Sequence, residues 1–555
     1  MLLERLKKEI YQDLQDAALR AREEGKLAFE ELPLFTLEKP REKSHGDLAA
    51  NIALVLARPA KTAPRKIAQA ILEYFPTGRN CVARCEIAGP GFINIFLDPS
   101  WVDAVIPEVE EMDERYGCSF MEKSEKVQVE FVSANPTGLL HMGNARGAAL
   151  GDTLANVLAA AGYEVTKEFY INDAGSQIET LGRTLEARYL QLLGQDAPFP
   201  EDGYPGKDLI DSMSGLIAKV GDKYLQVAPQ LRREILVKYA LQEKLEQMKK
   251  DLADFGVYYD VWFSEQTLHD SGAIEAVLKE LQQKGYLYEK DDAIWFRSTL
   301  FGDEKDEVLV RKNGVPTYFA ADIAYHKNKF ERGFDRVINI WGADHHGHVP
   351  RMKGAIEALG YDPDRLQVII MQLVRLFRGG EPVRMSKRSG EYVTLRELID
   401  EVGKDAARFF FVNRSSDSHL DFDLDLAKKQ SSDNPVYYVQ YAHARICSIL
   451  RQAGEFPSAQ EIDCSLLQDP AEVALLEKIA ELPSEIKYAA ASLEPHHITH
   501  YAYSLANLFH GFYTTCHVLN AEPGLREARL GLVNACRITL RNTLRIIGVS
   551  APERM

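Results

Sequence analysis

The chain has 555 residues, of which 46% are hydrophobic and 27% charged, and its formal net charge is −16 at pH 7. This length predicts two to four domains with substantial cores, and the composition excludes a disordered or fibrous protein. No apolar run is long enough to cross a bilayer, and acidic residues interrupt the stretch where a signal peptide would be apolar, so we expect a cytoplasmic protein.

Residues 1–105 predict an α+β domain. Apolar residues recur at helical spacing from Leu3 to Leu14, and a second helical stretch is predicted over residues 47–75. Residues 91–97 have the apolar, β-branched and aromatic character of a strand.

A strand–loop–helix–strand pattern opens a second domain, which we place at residues 120–390. Val127–Val132 and Thr166–Ile171 are predicted strands, and Gly143–Tyr163 is the helix between them. Glycine recurs every fourth residue from Gly143 to Gly151, which leaves one helix face without side chains and predicts a close approach to the sheet or to a nucleotide. The pattern is typical of a Rossmann-like, doubly wound α/β domain.

The remaining segments complete the predicted organisation. A charged, helical stretch at about 175–300 is predicted to be an insertion in the α/β domain, and short apolar runs at 336–341 and 366–371 predict further parallel strands. A connecting segment at 391–434 then leads to an all-helical domain at 435–555. The predicted fold class is therefore α/β, with an N-terminal α+β domain and a C-terminal all-α domain.

The loop after the first predicted strand carries polar residues where the helix begins. His141 and Asn144 flank Gly143 at this point. A helix N-terminus supplies N–H groups and a partial positive charge that suit a phosphate, and both side chains can donate hydrogen bonds to one. A tight strand-to-helix turn with incidental polar residues explains the same sequence. The loop alone does not decide between a phosphate site and a simple turn.

A second loop, some 240 residues later, is strongly cationic. Arg384, Lys387 and Arg388 lie between the pair Gly379–Gly380 and Gly390. Such charge stabilises a departing pyrophosphate, and a loop can deliver it as the transition state develops. The alternative is a solvated basic loop of the kind found on any surface.

Taken together, the segments His141–Asn144 and Arg384–Arg388 resemble the two defining motifs of class I aminoacyl-tRNA synthetases, and more narrowly of bacterial-type arginyl-tRNA synthetases. Asn144, Arg384 and Arg388 stand where His, Lys and Ser are the commoner letters, and each keeps a hydrogen-bond donor. Further segments across the chain match that family: Gly89–Asn94, Glu130–Pro136, Tyr170–Asp173, Thr317–His326, Gly342–His348, Gln440–Arg445 and Gly548–Met555.

The recognition of a guanidinium group can be argued from one predicted helix. A planar, permanently charged guanidinium is best held by carboxylates. If residues 317–329 are helical, Tyr318, Asp322 and Tyr325 share a face. The alternative for Asp322 is a surface ion pair with a basic neighbour, Lys327 or Arg332.

The resemblance implies a role for each matching residue. The catalytic residues that it implies are His141, Asn144 and Lys387. Its ATP site contains His141, Gly143, Asn144, Gly342, Asp344, Met385, Ser386 and Lys387. Its arginine site contains Glu130, Asn135, Tyr318, Asp322 and Asp344.

No metal-ligand set is predicted. His345, His346 and His348 are crowded together, but no two have the i, i+4 spacing of ligands on a helix. Seven cysteines form no zinc pattern and are expected to be reduced structural thiols. Magnesium is expected to arrive with ATP, held mainly by phosphate oxygens.

The flanking domains are expected to bind tRNA despite the acidic net charge, because aromatic residues stack on unpaired bases and arginines contact phosphates. In the helical domain the arginines at 537, 541 and 545 share a helix face, although a solvated helix face explains this stripe alone. The residues implied to contact tRNA are Phe92, Asn94, Tyr437, Tyr441 and Arg541.

The resemblance thus implies an arginine–tRNA ligase activity on ATP, L-arginine and tRNA(Arg), and we expect a monomer without a membrane partner. The resemblance implies that arginine activation needs bound tRNA and that the 2′-hydroxyl of the terminal adenosine is charged. The rival hypotheses are another class I synthetase, a small nucleotidyltransferase and a non-catalytic tRNA-binding paralogue.

Overall fold

The computed structural model describes residues 1–40, 42–119, 124–383 and 393–555. Within these ranges no helix combines the length and the apolarity needed to cross a bilayer. The second predicted loop, 384–390, lies outside the described residues.

The N-terminal domain is a four-stranded antiparallel sheet covered by helices. The predicted first helix is confirmed, with Leu6, Ile10 and Leu14 buried along one face. The helix predicted over 47–75 is wrong at its start, because residues 48–50 pair with the strand at 92–97 and this long-range pairing overrides the local pattern. The elements are α1 (Leu2–Glu23), β1 (Leu37–Glu38), β2 (Leu48–Ala50), α2 (Ile52–Leu56), α3 (Pro64–Leu72), β3 (Val82–Ala88) and β4 (Phe92–Leu97).

The α/β domain starts with the strand–helix–strand unit that the sequence predicted. Its helix passes so close to the sheet that a Cβ on Gly151 would lie 2.1 Å from Phe131 Cγ, which accounts for the glycine-rich face. Three helices with a hydrophobic core of their own follow. The elements are α4 (Val105–Met112), β5 (Lys126–Glu130), α5 (Met142–Ala160), β6 (Glu164–Ile171), α6 (Ser176–Leu192), α7 (Lys207–Val220) and α8 (Pro229–Asp254).

The helical part of the predicted insertion is shorter than expected. The chain returns to the parallel sheet at residues 261–264, inside the range 175–300, by pairing with residues 168–171. Two helices and then a small antiparallel sheet follow, before the helix at residues 318–331. The elements are β7 (Val261–Ser264), α9 (Gln266–Asp270), α10 (Ala273–Gln283), β8 (Leu287–Lys290), β9 (Ala293–Phe296), β10 (Glu307–Val310), α11 (Tyr318–Glu331), β11 (Arg336–Gly342), α12 (His348–Leu359) and β12 (Leu366–Met371).

The parallel sheet has the strand order β12-β11-β5-β6-β7. The chain moves outward in one direction from β5 through β6 to β7, and in the other direction from β11 to β12. The boundary between β5 and β11 is therefore the topological switch point, where the carboxyl ends of parallel strands open a crevice for ligands.

The rest of the chain packs helices against this domain. The segment predicted as a connector contains three helices and one strand, which pairs with the strand at residues 374–378, and the helix that opens the predicted all-helical domain begins at Pro435. The elements are β13 (Val374–Arg378), β14 (Glu381–Pro382), α13 (Leu395–Val402), α14 (Lys404–Val412), β15 (Leu420–Asp423), α15 (Leu424–Lys428), α16 (Pro435–Ala453), α17 (Pro470–Ser492), α18 (His496–Thr515) and α19 (Leu525–Ile547).

A buried ion pair joins α5 to the C-terminal helices. The Arg408 guanidinium on α14 lies 2.6 Å from Oδ2 of Asp152 on α5, and it donates two hydrogen bonds to the Ile547 carbonyl at the end of α19. Asp152 also pairs with Lys167 at 2.6 Å. Gly548 has a φ of +76°, and a Cβ there would lie 2.3 Å from the guanidinium, so only glycine fits this junction.

Candidate active site

A cleft of about 1610 Å³ opens at the carboxyl ends of β5 and β11. Its walls come from the two halves of the sheet, from α11 and from the first turn of α7. It brings together eight of the residues that the sequence predicted for substrate binding: Glu130, Asn135, His141, Asn144, Tyr318, Asp322, Gly342 and Asp344.

His141 and Asn144 are bonded to one another where α5 begins. His141 is the N-cap residue, and its Nδ1 accepts a hydrogen bond from the Gly143 N–H at 3.1 Å. The neutral ring therefore carries its proton on Nε2. Asn144 Oδ1 accepts from the His141 N–H at 3.0 Å, which leaves the amide NH₂ of Asn144 as a donor. Both side chains are thus held by backbone N–H groups at the start of the helix.

The first N–H groups of α5 are less available than the sequence suggested. The Met142 N–H donates to the Val393 carbonyl at 3.1 Å, and that of Gly143 is taken by His141. Gly143 itself is not among the residues that line the cleft. Phosphate contacts at this point would therefore come from the side chains of His141 and Asn144 rather than from these two N–H groups.

The chain just beyond the second motif is bound to the first motif. Leu395 N–H donates to the Leu140 carbonyl at 2.8 Å, and His141 forms a β-bridge with Thr394. Thr394 also caps α13 together with Glu397, and both line the cleft. Met385, Ser386 and Lys387 lie outside the described residues, so their roles stay predictions.

The predicted face of α11 points into the cleft. Tyr318, Asp322 and Tyr325 all line it. The Asp322 carboxylate accepts from His348 Nε2 through Oδ2 at 3.2 Å. The alternative of a surface ion pair is wrong, because the two basic neighbours pair with other carboxylates. His348 was not among the residues that the sequence analysis assigned to substrate.

A second carboxylate, Glu265, was missed from the sequence. It lies at the carboxyl end of β7, is almost fully buried and lines the same cleft. Burial raises the pKa of its carboxyl, and the negative charge of Asp322 adds to the rise, whereas the hydrogen bond from Tyr170 opposes it. The cleft therefore holds two acids near each other, a suitable environment for a cation with several N–H donors.

A buried chain of hydrogen bonds links the two ends of the cleft. Lys329 Nζ donates to Glu130 Oε2 at 2.5 Å and to Asn339 Oδ1 at 2.8 Å. The Asn339 amide donates to His326 Nε2 at 2.7 Å, so the His326 Nδ1–H donates to the Asp322 carbonyl at 2.7 Å. Burial lowers the pKa of His326 well below its usual value, and the charge of Lys329 adds to this, so the ring is neutral.

A second network holds α11 against the sheet. Both oxygens of the buried Glu168 carboxylate accept from Arg332, at 2.6 and 2.8 Å, and Tyr325 donates to the same group at 2.6 Å. Burial alone would raise the pKa of Glu168, but the Arg332 hydrogen bonds and the charge of Lys329 lower it overall. The carboxylate therefore stays charged and fixes the helix.

The loop after β5 is strained at the edge of the cleft. Val132 has a φ of +69°, which a β-branched residue rarely adopts. The turn places Ser133 Oγ so that it donates to Glu130 at 2.8 Å and accepts from the Tyr170 N–H at 3.1 Å. Asn135, further along the loop, donates to Gln177 at 2.7 Å. The strain thus serves to position the residues predicted to hold the amino end of a substrate.

Two further residues of the cleft, Asn172 and Asp344, could bind a ligand. Asn172 Oδ1 is buried at the cleft and has no hydrogen-bond partner among the described residues, so an acceptor is left there for a donor. Asp344 is exposed at the rim, and its carboxylate lies 3.8 Å from His345.

The residues predicted to contact tRNA lie in different surroundings. Tyr437 and Tyr441 stack on one face of α16, with ring centroids 6.1 Å apart. Phe92 is partly exposed, whereas Asn94 is buried in its sheet. The Arg541 guanidinium lies 2.7 Å from the carboxylate of Asp113 in the segment after α4. This contact gives Arg541 a partner within the protein, and contact of Arg541 with tRNA stays a prediction.

Family models match three parts of the chain. The arginyl tRNA synthetase N terminal domain matches residues 4–97, the catalytic domain of class I (R) tRNA synthetases matches 106–201 and 222–430, and the DALR anticodon binding domain matches 439–555. The catalytic model spans the sheet and the cleft described above.

Full-length relatives carry the same family name. The chain is 62% identical to the arginine–tRNA ligase of Moorella thermoacetica, with 100% of each chain covered. It is 63% identical to that of Desulfitobacterium hafniense, with 99% of each covered. In fold it is similar to the Thermus thermophilus arginyl-tRNA synthetase, with a TM-score of 0.76, 24% identity, and 98% of this chain and 100% of that one covered. This chain therefore belongs to the arginyl-tRNA synthetase family of class I aminoacyl-tRNA synthetases.

Proposed function

We propose that this chain is an arginine–tRNA ligase, which activates L-arginine with ATP and transfers it to the terminal adenosine of tRNA(Arg). The observation that supports this most directly is the composition of one cleft. The motif residues His141 and Asn144 line it together with two acids, Asp322 and Glu265. Phosphate-binding donors and guanidinium-binding carboxylates are the two requirements of arginine activation. The enzyme is proposed to act as a cytoplasmic monomer.

In the proposed activation step, the α-carboxylate of arginine attacks the α-phosphorus of ATP, and pyrophosphate leaves. The substrate is the magnesium complex of ATP, whose ion is held mainly by phosphate oxygens. The protein acts chiefly by positioning the reactants and stabilising charge. His141 Nε2–H and the Asn144 amide are the proposed donors to the triphosphate, and Lys387 would neutralise the departing pyrophosphate. Gly342 and Asp344 are proposed to contact the ribose.

The same cleft is proposed to hold arginine in an extended conformation. The guanidinium would lie between Asp322 and Glu265, with Tyr318 beside it, because all three side chains line the cleft, the two carboxyl groups are close enough to interact, and Tyr318 lies one helical turn from Asp322. The amino end would lie against Glu130 and Asn135, at the carboxyl end of β5. His348 would keep the Asp322 carboxylate oriented through its hydrogen bond.

In the proposed transfer step, the 2′-hydroxyl of the terminal adenosine attacks the carbonyl carbon of arginyl-adenylate, and AMP leaves. The C-terminal domain would bind the anticodon through an aromatic surface on α16 and α18. Tyr437, Tyr441 and His510 stack in sequence there, and Arg445 lies 4.9 Å from the Tyr441 ring centroid. Such surfaces stack on unpaired bases and attract phosphates. Phe92 is proposed to contact the outer corner of the tRNA.

ATP–pyrophosphate exchange, run with each of the twenty amino acids, is the direct test of this function. We expect exchange with arginine alone, and only when tRNA is present. A matched reaction without tRNA should show little exchange, since the family resemblance implies that bound tRNA completes the site.

Two outcomes would contradict the proposal in different ways. Exchange with another amino acid would refute the substrate assignment while leaving a class I synthetase. Loss of exchange with every amino acid, in protein that still binds tRNA in a filter assay, would instead favour a non-catalytic paralogue.

Lowering the pH is expected to weaken arginine binding through Glu265. Burial raises the pKa of this carboxyl, so it takes up a proton at a higher pH than an ordinary glutamate, and the guanidinium then loses one charged partner. The KM for arginine should therefore rise as the pH falls, beginning above the usual glutamate range near 4.3. The measurement is a pH profile of the KM for arginine and, in parallel, of the KM for ATP.

The variant Glu265→Gln separates the effect of this carboxyl on the KM for arginine from the effects of neighbouring groups. We expect its KM for arginine to be raised about tenfold at high pH, equivalent to roughly 1.4 kcal/mol, and to change less with pH than that of the wild type. His269, Asp322 and His348 lie near the same site in both proteins. Identical pH profiles for the variant and the wild type would show that Glu265 does not bind the substrate.

A further inference from the structure

A cluster of imidazole and carboxylate groups lies in the C-terminal domain, far along the chain from the active-site motifs. Glu494, His496 and His497 each offer one ligand atom at the turn between α17 and α18, and these atoms all lie within 4.8 Å of one another. Among the residues that the structure describes, this is the one group of three or more such side chains that converges in this way.

The cluster contains an imidazole nitrogen that the protein leaves without a partner. Nδ1 of His496 is buried and makes no hydrogen bond within the described structure. Buried polar atoms are nearly always hydrogen-bonded, and an exception often indicates an ion or a water molecule. The neighbouring His497 ring lies 4.4 Å from that of His496, and its Nε2 lies 3.3 Å from the Glu494 carboxylate.

A fourth candidate ligand lies on the same helix. His496 and His500 are at positions i and i+4 of α18, a spacing that places two imidazoles on one face and that helical zinc sites use. Their ring centroids are 5.3 Å apart. His500 Nε2 lies 3.3 Å from the Asn413 carbonyl, so a side-chain rotation would exchange that contact for an ion.

We propose that Glu494, His496 and His497, with His500, bind a divalent transition metal ion of the zinc class. Imidazole nitrogens suit Zn²⁺, Ni²⁺ and Cu²⁺, whereas Mg²⁺ and Ca²⁺ prefer oxygen ligands. Metal binding requires neutral imidazoles.

The position of the cluster suggests what a bound ion would do. It would tie the end of α17 to the start of α18, across a turn in which Leu493 has a φ of +59°. The ion would therefore stiffen the turn that joins these two helices of the C-terminal domain.

Calorimetric titration of the untagged, full-length protein with ZnCl₂ tests the proposal. The protein is first treated with a chelator, and Co²⁺ serves as a spectroscopic probe of tetrahedral coordination by nitrogen and oxygen. We expect His497→Gln to bind Zn²⁺ roughly 10- to 100-fold more weakly than the wild type, or to lose one ion per chain. His500→Gln should show a smaller loss, and binding should raise the unfolding temperature of the wild type.

His45→Gln is the matched control, because it removes an exposed histidine from the N-terminal domain. It should bind Zn²⁺ as the wild type does. Glu494→Gln is a second test variant in case His497→Gln is poorly folded, and far-UV circular dichroism checks each protein. Equal isotherms and equal Co²⁺ spectra for the wild type, His497→Gln and Glu494→Gln would overturn the proposal.

Discussion

Asp322→Asn is expected to lower kcat/KM for arginine about 10²- to 10³-fold, because the neutral amide cannot form a charge-assisted pair with the guanidinium. Removing one member of a desolvated charge pair costs roughly 3–4 kcal/mol, which corresponds to this range. The His348 hydrogen bond shows that the carboxylate is already oriented in the cleft. ATP–pyrophosphate exchange with varied arginine measures the effect, and the KM for ATP should change little.

The control for this variant lies on the same helix. Glu331→Gln also removes one negative charge from α11, but the side chain is exposed and pairs with Lys327 away from the cleft. Its kinetics should match those of the wild type. Citrulline adds a second comparison, since it has the shape of arginine without the charge. The preference for arginine over citrulline should narrow in Asp322→Asn, and an unchanged preference would rule out contact between Asp322 and the guanidinium.

Arg408→Met is expected to destabilise the protein by about 3–5 kcal/mol, the usual cost of breaking a buried ion pair from one side. The substitution removes one of the two cationic partners of Asp152, which keeps Lys167, and leaves the Ile547 carbonyl without the two hydrogen bonds from Arg408. Both losses occur where α5 meets α14 and α19. Urea unfolding followed by far-UV circular dichroism measures the change, and the transition should move to lower urea.

Arg375→Met is the matched comparison, because it breaks an exposed ion pair away from this junction. Arg375 forms a similar pair with Asp421, at 2.7 and 3.0 Å, but both side chains are exposed, so the loss should stay below about 1 kcal/mol. Gly548→Ala should also destabilise this junction, because its Cβ would collide with the Arg408 guanidinium. If Arg408→Met and Arg375→Met unfold at the same urea concentration, the buried pair does not hold these helices together.

Several parts of the fold were predictable because their signals are local. The strand β5, the glycine-faced helix α5 and the helix α11 are long or strongly patterned. Each lies close to its predicted bounds. The orientation of Tyr318 and Asp322 follows from helical periodicity alone once α11 is accepted. Their placement opposite His141 needed the additional rule that parallel strands deliver their carboxyl ends to one edge of the sheet.

Other parts were not predictable because they depend on distant partners. β7 has only four residues within a largely helical region, so Glu265 was not recognised as a residue at the end of a sheet strand. The segment 48–50 becomes a strand by pairing with β1 and β4. The arginine stripe on α19 gave no indication that Arg541 contacts Asp113, which is 428 residues away. In each case tertiary contacts decided what the local pattern left open.

The buried chain from Glu130 through Lys329, Asn339 and His326 to Asp322 has a consequence for substrate length. On the proposed binding mode, the side chains of the two residues at its ends, Glu130 and Asp322, hold the amino group and the guanidinium of one molecule. The spacing between them is then set by a helix and two strands rather than by mobile loops. The network keeps the distance between the two binding groups constant. Homologues of arginine with one methylene more or fewer can therefore bind at one end of the cleft but not at both.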